Sequence, residues 1–227
     1  MKHIVVLTGA GISAESGIKT FRDADGLWEG HDVMEVATPQ GFAANPKLVL
    51  DFYNQRRAEL STVKPNKAHI GLAKLEKHYK VSIITQNVDD LHERAGSTNV
   101  THLHGELLKA RCTVDKNDIK TWKNDINLGD LSDKGYQMRP HIVWFGEDVP
   151  MMDKAIEICE TADILIIIGT SMQVYPAAGL MNYVPQNTPT YFIDPKPNMK
   201  SSKNLTVITE PATIGLSLVE KLLESDV

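Results

Sequence analysis

The stretch "IVVLTGAGISAESGIKTFRD", residues 4–23, decides the reading of the fold. An apolar run, Ile4 to Leu7, feeds a turn that carries Gly9 and Gly11, with Ala14 three residues further on. This is close to the dinucleotide-binding fingerprint, a strand followed by a Gly-rich turn whose backbone N–H groups face a pyrophosphate. A hydride-transferring enzyme of that design needs an acidic ribose partner about 20 positions later, at the end of a second strand. Here the segment "GIKTFRDADGLW" has no strand pattern, and Asp23 and Asp25 are badly placed for that role. The glycines leave open whether a bound dinucleotide lends a hydride or is cut, and a turn that serves packing alone is the plainer alternative.

Outward from this stretch, short β-rich runs alternate with helical patterns. Strands are expected at 3–9, 81–87, 100–105, 141–147, 163–171, 190–194 and 206–209. Several are apolar on both faces, as strands between two helix layers must be. Helices are expected near 66–78, 151–161 and 212–224, the last with Ile214, Leu218 and Leu222 at i, i+4 spacing. The alternation predicts an α/β fold with a Rossmann-like parallel sheet and helices on both faces. Two stretches stand outside it: about 20–62, a loop followed by the helical pattern "PKLVLDFYNQRRAEL", and about 106–139, which is polar and irregular. They predict a small lobe built from two insertions beside a Rossmann-like lobe of about 1–19, 63–105 and 140–227, all in one domain of 227 residues. Ligands of such sheets bind at the carboxyl ends of the strands, so the cleft between lobes is the expected site.

The bulk properties narrow the class. A net charge of −5 excludes a general nucleic-acid binder. No apolar run approaches the roughly 20 residues of a membrane span, and the N-terminus enters a strand without the parts of a signal peptide. Cys112 and Cys159 lie far apart in the sequence, which speaks for a reducing, cytoplasmic setting rather than a disulfide framework.

Three polar clusters stand at expected strand ends. "TQNVDDLH" brings Gln86, Asn87 and Asp89 directly after a strand, "HLHGE" ends another with His104 and Gly105, and "GTS" closes the most apolar strand with Gly169, Thr170 and Ser171. Singly, His104 reads as a satisfied core histidine and Asn87 as a turn former. Together they point to a polar cleft that suits ribose and phosphate.

"GAGISAESGIKTFRDADGLW", "TQNVDDLH", "HLHGE", "RPHIVWFGE" and "GTSMQVYPAAG" in this order resemble the sirtuins, a family of NAD-consuming protein-lysine deacylases, over nearly the whole chain. The resemblance implies that NAD is a consumed co-substrate and that the partners are acylated lysines of other proteins, with no membrane or direct nucleic-acid contact. It implies that the acyl-lysine oxygen attacks the nicotinamide ribose, that nicotinamide leaves, and that O-acyl-ADP-ribose and free lysine are released. His104 would be the general base on a ribose hydroxyl, a task suited to an imidazole whose unperturbed pKa is about 6.5. Asn87 and Gln86 would hold ribose and water, and Asp89 the nicotinamide carboxamide. Phe21 and Arg22 would belong to the cover over the cofactor, which Thr20 and Trp28 would also touch. By the same resemblance the cofactor would also touch Gly9, Ala10, Gly11, Ile12, Ser13, Glu15, Val88, Gly169, Thr170, Ser171, Val174, Asp194 and Ala212. Val143, Trp144, Phe145 and Gly146 would form the strand that pairs with the substrate backbone.

Arg56 lies in an apolar stripe with Leu48, Phe52 and Leu60, and Tyr53 stands three positions before it. Alone, the arginine reads as a stem covering apolar surface with its head in water. With Ala37, the Tyr-x-x-Arg pattern resembles the class III sirtuins, whose acyl pocket takes succinyl, malonyl or glutaryl groups. A guanidinium binds a carboxylate bidentately and a phenol adds a donor.

Two departures stand out. Most sirtuins hold zinc with two CxxC pairs, whereas here Cys112 is the one cysteine between His104 and "RPHIVWFGE". Tetrahedral thiolate sites need about four ligands, so no metal is expected, with Trp122 and Tyr136 expected to hold the module instead. In "FIDPKPN", Asp194 stands where many relatives have an asparagine. Mono-ADP-ribosyl transfer, a non-catalytic NAD or ADP-ribose sensor and, last, a dehydrogenase are the competing readings.

Overall fold

A computed structural model describes residues 1–19, 27–28 and 30–225. The elements in order are β1 (His3–Thr8), α1 (Ala10–Ala14), β2 (Leu27–Trp28), β3 (His31–Asp32), α2 (Val33–Val36), α3 (Pro39–Ala44), α4 (Pro46–Thr62) and α5 (Lys67–Leu75). They continue as β4 (Lys80–Thr85), α6 (Leu91–Ala95), β5 (Val100–His102), β6 (Gly105–Cys112), β7 (Ile119–Thr121) and β8 (Met138–Ile142). The chain ends with α7 (Met152–Cys159), β9 (Ile164–Ile168), a 3₁₀ segment (Ala177–Tyr183), β10 (Thr190–Ile193), β11 (Leu205–Ile208) and α8 (Ala212–Ser225).

Six strands form a sheet in the order β11-β10-β9-β1-β4-β5, every neighbouring pair parallel. Alternate residues of β1 enter opposite helix layers. Ile4 and Val6 pack with Leu72 of α5 and Leu216 and Val219 of α8, while Val5 and Leu7 pack with Ala155 and Cys159 of α7 and Leu180 of the 3₁₀ segment. Burial on both faces explains why these strands are uniformly apolar rather than alternating. The α/β, Rossmann-like reading is correct. The inner face of α8 carries Ala212, Leu216, Val219 and Leu223, whereas the i, i+4 stripe Ile214, Leu218, Leu222 is the exposed side.

The chain leaves β1 toward β4 and β5 and later returns on the other side through β9, β10 and β11. The sheet order therefore reverses between β1 and β9, where open α/β sheets bind ligands. At that point two glycines cross at backbone contact. Gly11 N donates to Gly169 O at 2.8 Å, and a Cβ on Gly11 would sit 2.6 Å from Gly169 Cα. Gly169 has φ +63°, and its own Cβ would lie 2.3 Å from Ile12 N.

β6, β7 and β8 form a separate antiparallel sheet in the order β7-β6-β8, beside α2, α3 and α4. Two expectations are corrected here. The polar stretch after His104 begins with an eight-residue strand, β6, hidden in the sequence because its pattern is broken by the register shift between Glu106 and Ala110. The strand expected over 141–147 ends at Ile142, and Val143–Gly146 leaves the sheet as a connection tied at both sides, Val143 N to His104 O and Phe145 N to Ala37 O, each at 2.9 Å. Of the two aromatics expected to hold this module, Trp122 packs against Leu50, Ala110, Cys112, Ile126 and Met138, but Tyr136 is exposed. The middle of that cluster is Ile126 and Met138, both fully buried.

Candidate active site

A cavity of about 920 Å³ runs from the carboxyl ends of β1, β4 and β9 to α4 and the Val143–Gly146 connection. Its floor at the sheet switch is Gly9, Gly11 and Gly169, where side chains would collide with backbone. That bare floor fits a ligand approaching as closely as a pyrophosphate does. Ala10, Thr170, Ser171, Val174, Asp194 and Ala212 line the same end.

At the centre, His104 follows β5. Its Nδ1 lies 3.0 Å from Gln86 O, a carbonyl that can only accept, so Nδ1 carries the proton and Nε2 keeps the lone pair. Burial holds the His104 pKa below its ordinary value, partly offset by the Gln86 carbonyl. Gln86 Nε2 donates to Thr170 Oγ1 at 3.1 Å, which ties the end of β4 to the end of β9.

Behind His104 lies a buried chain of hydrogen bonds centred on Ser13. The Ser13 hydroxyl donates to Asp89 Oδ2 at 3.0 Å and accepts from Asn87 Nδ2 at 3.2 Å. Leu91 N donates to Asp89 Oδ1, and burial raises the Asp89 pKa against these bonds. His69 Nδ1 accepts from Asn66 N as half of a capping box, so Nε2 carries the proton toward Ser13 Oγ at 3.4 Å. His92, edge-on to His69 at 4.9 Å, meets Thr8 Oγ1 at 3.0 Å. Desolvation lowers both imidazoles, His69 to about 4. The sequence reading missed these two histidines, and the only available signal was the helix-start pattern "PNKAHIG".

At the α4 end, Tyr53, Arg56, Ala37 and Trp28 all line the cavity. Arg56 is held with its guanidinium 4.3 Å from the Phe52 ring centroid and its Nε 3.4 Å from Glu59 Oε2. Its side chain is 10% exposed, so a solvent-facing head covering apolar surface does not describe it. Trp28 packs edge-on against Phe52 at 5.0 Å.

Two residues sit differently from the expectation. Ile12 turns its side chain into the core beneath the sheet, and Glu15 spends its carboxylate on Thr213 N and Oγ1 at the start of α8. Trp144 is buried yet lines the cavity, and Phe145 is exposed, so a buried face and a segment whose backbone was expected to meet a peptide stand side by side. Thr20, Phe21 and Arg22 lie outside the described residues, as do Asp23 and Asp25. Zinc, implied by the family for most members, does not fit the donors present. Cys112 Sγ accepts from Val114 N and Asp115 N, Cys159 is buried in α7, and among the described residues no three His, Cys, Asp or Glu side chains stand together as a metal site.

Residues 9–176 match the model of the Sir2 family. The chain belongs to the Sir2, or sirtuin, family. An "NAD-dependent protein deacylase" of Helicobacter pylori (strain ATCC 700392 / 26695) is 59% identical over 226 residues, spanning 99% of each chain. One of the same description from Bacteroides thetaiotaomicron is 51% identical and covers 98% of both. Among solved structures, a Sir2 homologue bound to NAD is 41% identical, with a TM-score of 0.87 over 99% of this chain and 90% of that one. A Sir2 histidine mutant solved with a deacetylated peptide and 3'-O-acetyl-ADP-ribose is 29% identical, with a TM-score of 0.80 over 96% and 92%.

Proposed function

We propose that this sirtuin is an NAD-dependent protein-lysine deacylase that prefers succinyl and malonyl groups to acetyl while retaining acetyl activity. The observation that carries the reading is one cavity with a glycine floor at one end, a neutral imidazole with a free Nε2 at its centre and an arginine–tyrosine pair at the other. When bound, NAD supplies a ribose carbon open to attack and nicotinamide as the leaving group. His104 Nε2 takes the proton of a ribose hydroxyl, and the Gln86 carbonyl keeps the ring in the right tautomer while it does so. Asn87 and Gln86 orient ribose and water, and Asp89, held by Ser13 and Leu91 N, accepts from the nicotinamide carboxamide. Arg56 pairs with the distal carboxylate of the acyl chain, Tyr53 donates to it, and Ala37 leaves room for the chain. Trp28 lines the cavity, and the family resemblance assigns to Phe21 and Arg22 the task of keeping water from the departing ring. The backbone of Val143–Gly146 receives the substrate peptide, and flanking sequence is loosely read because main-chain bonds supply the contact. The module around Cys112 works without zinc.

The test compares kcat/KM on succinyl- and acetyl-lysine peptides. Loss of one charge-assisted pair of about 2–3 kcal/mol predicts that Arg56→Met lowers the succinyl value roughly 30- to 160-fold and leaves the acetyl value within a few-fold. Equal losses on both peptides would reject the acidic preference. Nicotinamide release that needs acylated peptide and vanishes in His104→Ala separates a deacylase from a sensor.

A further inference from the structure

Tyr53 has a buried partner that settles which way its hydroxyl faces. Trp144 Nε1 lies 3.0 Å from Tyr53 Oη, and both side chains are buried. An indole N–H only donates, so the phenol oxygen accepts from it and the phenol proton must point elsewhere. The ring planes are tilted by 33° with centroids 6.3 Å apart, and Trp28 and Phe52 meet the Tyr53 ring edge-on, which leaves the ring little freedom to turn.

Trp144 is itself held unusually firmly for a residue in a connection. Its backbone N–H donates to Glu147 Oε2 at 2.9 Å, and the Arg139 guanidinium carbon stands 3.1 Å from the centroid of its ring. The Glu147 carboxylate also accepts from Arg139 Nη1 at 2.8 Å and from Arg111 Nη2 at 2.7 and 2.9 Å. The two arginine side chains are only 7% and 8% exposed, and that of Glu147 14%. A desolvated Arg–Glu–Arg cluster is weak as a source of stability but good at fixing one arrangement. What it fixes here is the indole on the wall of the acyl end of the cavity.

We propose that Trp144 is a specificity-positioning residue. Its indole N–H occupies the acceptor side of the Tyr53 hydroxyl, so the hydroxyl proton is presented with Arg56 to the carboxylate of an acidic acyl chain. The Arg111–Glu147–Arg139 cluster keeps the indole in place. A phenol oxygen without this donor would be free to turn a lone pair toward the incoming carboxylate, which repels it. This assignment rests on the acidic-acyl reading given above.

Trp144→Phe tests it, because an aromatic ring remains to face Arg139 while the N–H is lost together with the five-membered ring. One hydrogen bond to the substrate carboxylate predicts a drop of about tenfold in the ratio of succinyl to acetyl kcat/KM, carried by the KM for succinyl peptide. Tyr53→Phe, which leaves the indole in place, gives the same selective drop. Adding Trp144→Phe to Tyr53→Phe costs nothing further, because the indole acts only through the hydroxyl. If wild type favours succinyl and Tyr53→Phe removes the preference, but Trp144→Phe leaves it intact or the two losses multiply, the positioning role is overturned and the acidic-acyl reading stands. A Trp144→Phe enzyme that loses both activities equally likewise overturns it, since packing alone would then be the cause. A wild type with no succinyl preference overturns both.

Discussion

At the scale of single residues, the chemistry turns on which nitrogen of His104 is bare. The Gln86 carbonyl requires the proton on Nδ1, so in the proposed function the base is Nε2, competent only while the ring is neutral. Burial depresses the His104 pKa, which extends the neutral form to lower pH than an exposed imidazole would allow. As pH falls, protonation removes the base, so activity is lost on the acid side with a midpoint below the ordinary 6.5. A profile of kcat/KM for NAD from pH 5 to 8.5 checks this, and an acid limb centred at 7 or above would contradict it. Gln86, Asn87, Asp89 and His104 were legible in the sequence because each follows an apolar strand, where the pattern itself marks the end that faces a cleft. Tyr53 and Arg56 needed the family resemblance, since their spacing fits a plain amphipathic face equally well. The indole of Trp144 was not legible at all. Its direction depends on Tyr53, 91 positions away, and on charges from β6 and β8.

Elements show the same division. The strands of the parallel sheet announced themselves because burial on both faces leaves only apolar residues, and register then follows from their length. β6 did not, since its two faces meet different partners and its pairing slips between Glu106 and Ala110. In α8 the spacing of Ile214, Leu218 and Leu222 correctly indicated a helix but named the wrong face, because a helix with apolar residues on several sides gives one period and more than one stripe. The glycines after β1 were read as a turn whose N–H groups face a pyrophosphate, and the structure adds that Gly11 and Gly169 make room for each other. Gly169→Ala therefore strikes twice, through a left-handed backbone at φ +63° and through a Cβ 2.3 Å from Ile12 N. Strain and collision together predict a loss of about 2–4 kcal/mol of stability. Because α1 would be pushed away from β9, NAD affinity should fall at least tenfold. Thermal unfolding and calorimetric NAD titration measure the two effects, and an alanine variant with unchanged NAD affinity would show that the crossing does not shape the cradle.

For the whole molecule, the question is how the antiparallel β6–β8 sheet and its loops stay folded on α4 with a single thiol where most relatives are expected to use a metal. The described contacts answer with side chains that act as backbone partners. Asn54 donates to Ile126 O at 3.0 Å and accepts from Ile126 N at 2.9 Å, reading both polar groups of one residue as a neighbouring strand would. Arg57 completes it, donating to Asn54 Oδ1 and, through Nε, to Leu107 O. Gln137 gathers the carbonyls of Asn127, Asp130 and Met138 and accepts from Gly129 N. Cys112 contributes a sulfur that receives the backbone N–H groups of Val114 and Asp115. None of this was readable beforehand, because Asn54 and Ile126 lie 72 positions apart and an asparagine inside a helix pattern carries no sign of what it will meet. If these bonds replace the metal, dialysis against a chelator should leave the melting temperature and deacylase activity unchanged. Asn54→Ala, by contrast, orphans Ile126 N, Ile126 O and one Arg57 nitrogen at once, a cost of about 2–4 kcal/mol. For a chain of this size that corresponds to a fall of roughly 5–15 °C. A purified protein that carries about one zinc per chain and melts earlier once the zinc is stripped would mean that the metal, and not Asn54, holds the small sheet to α4.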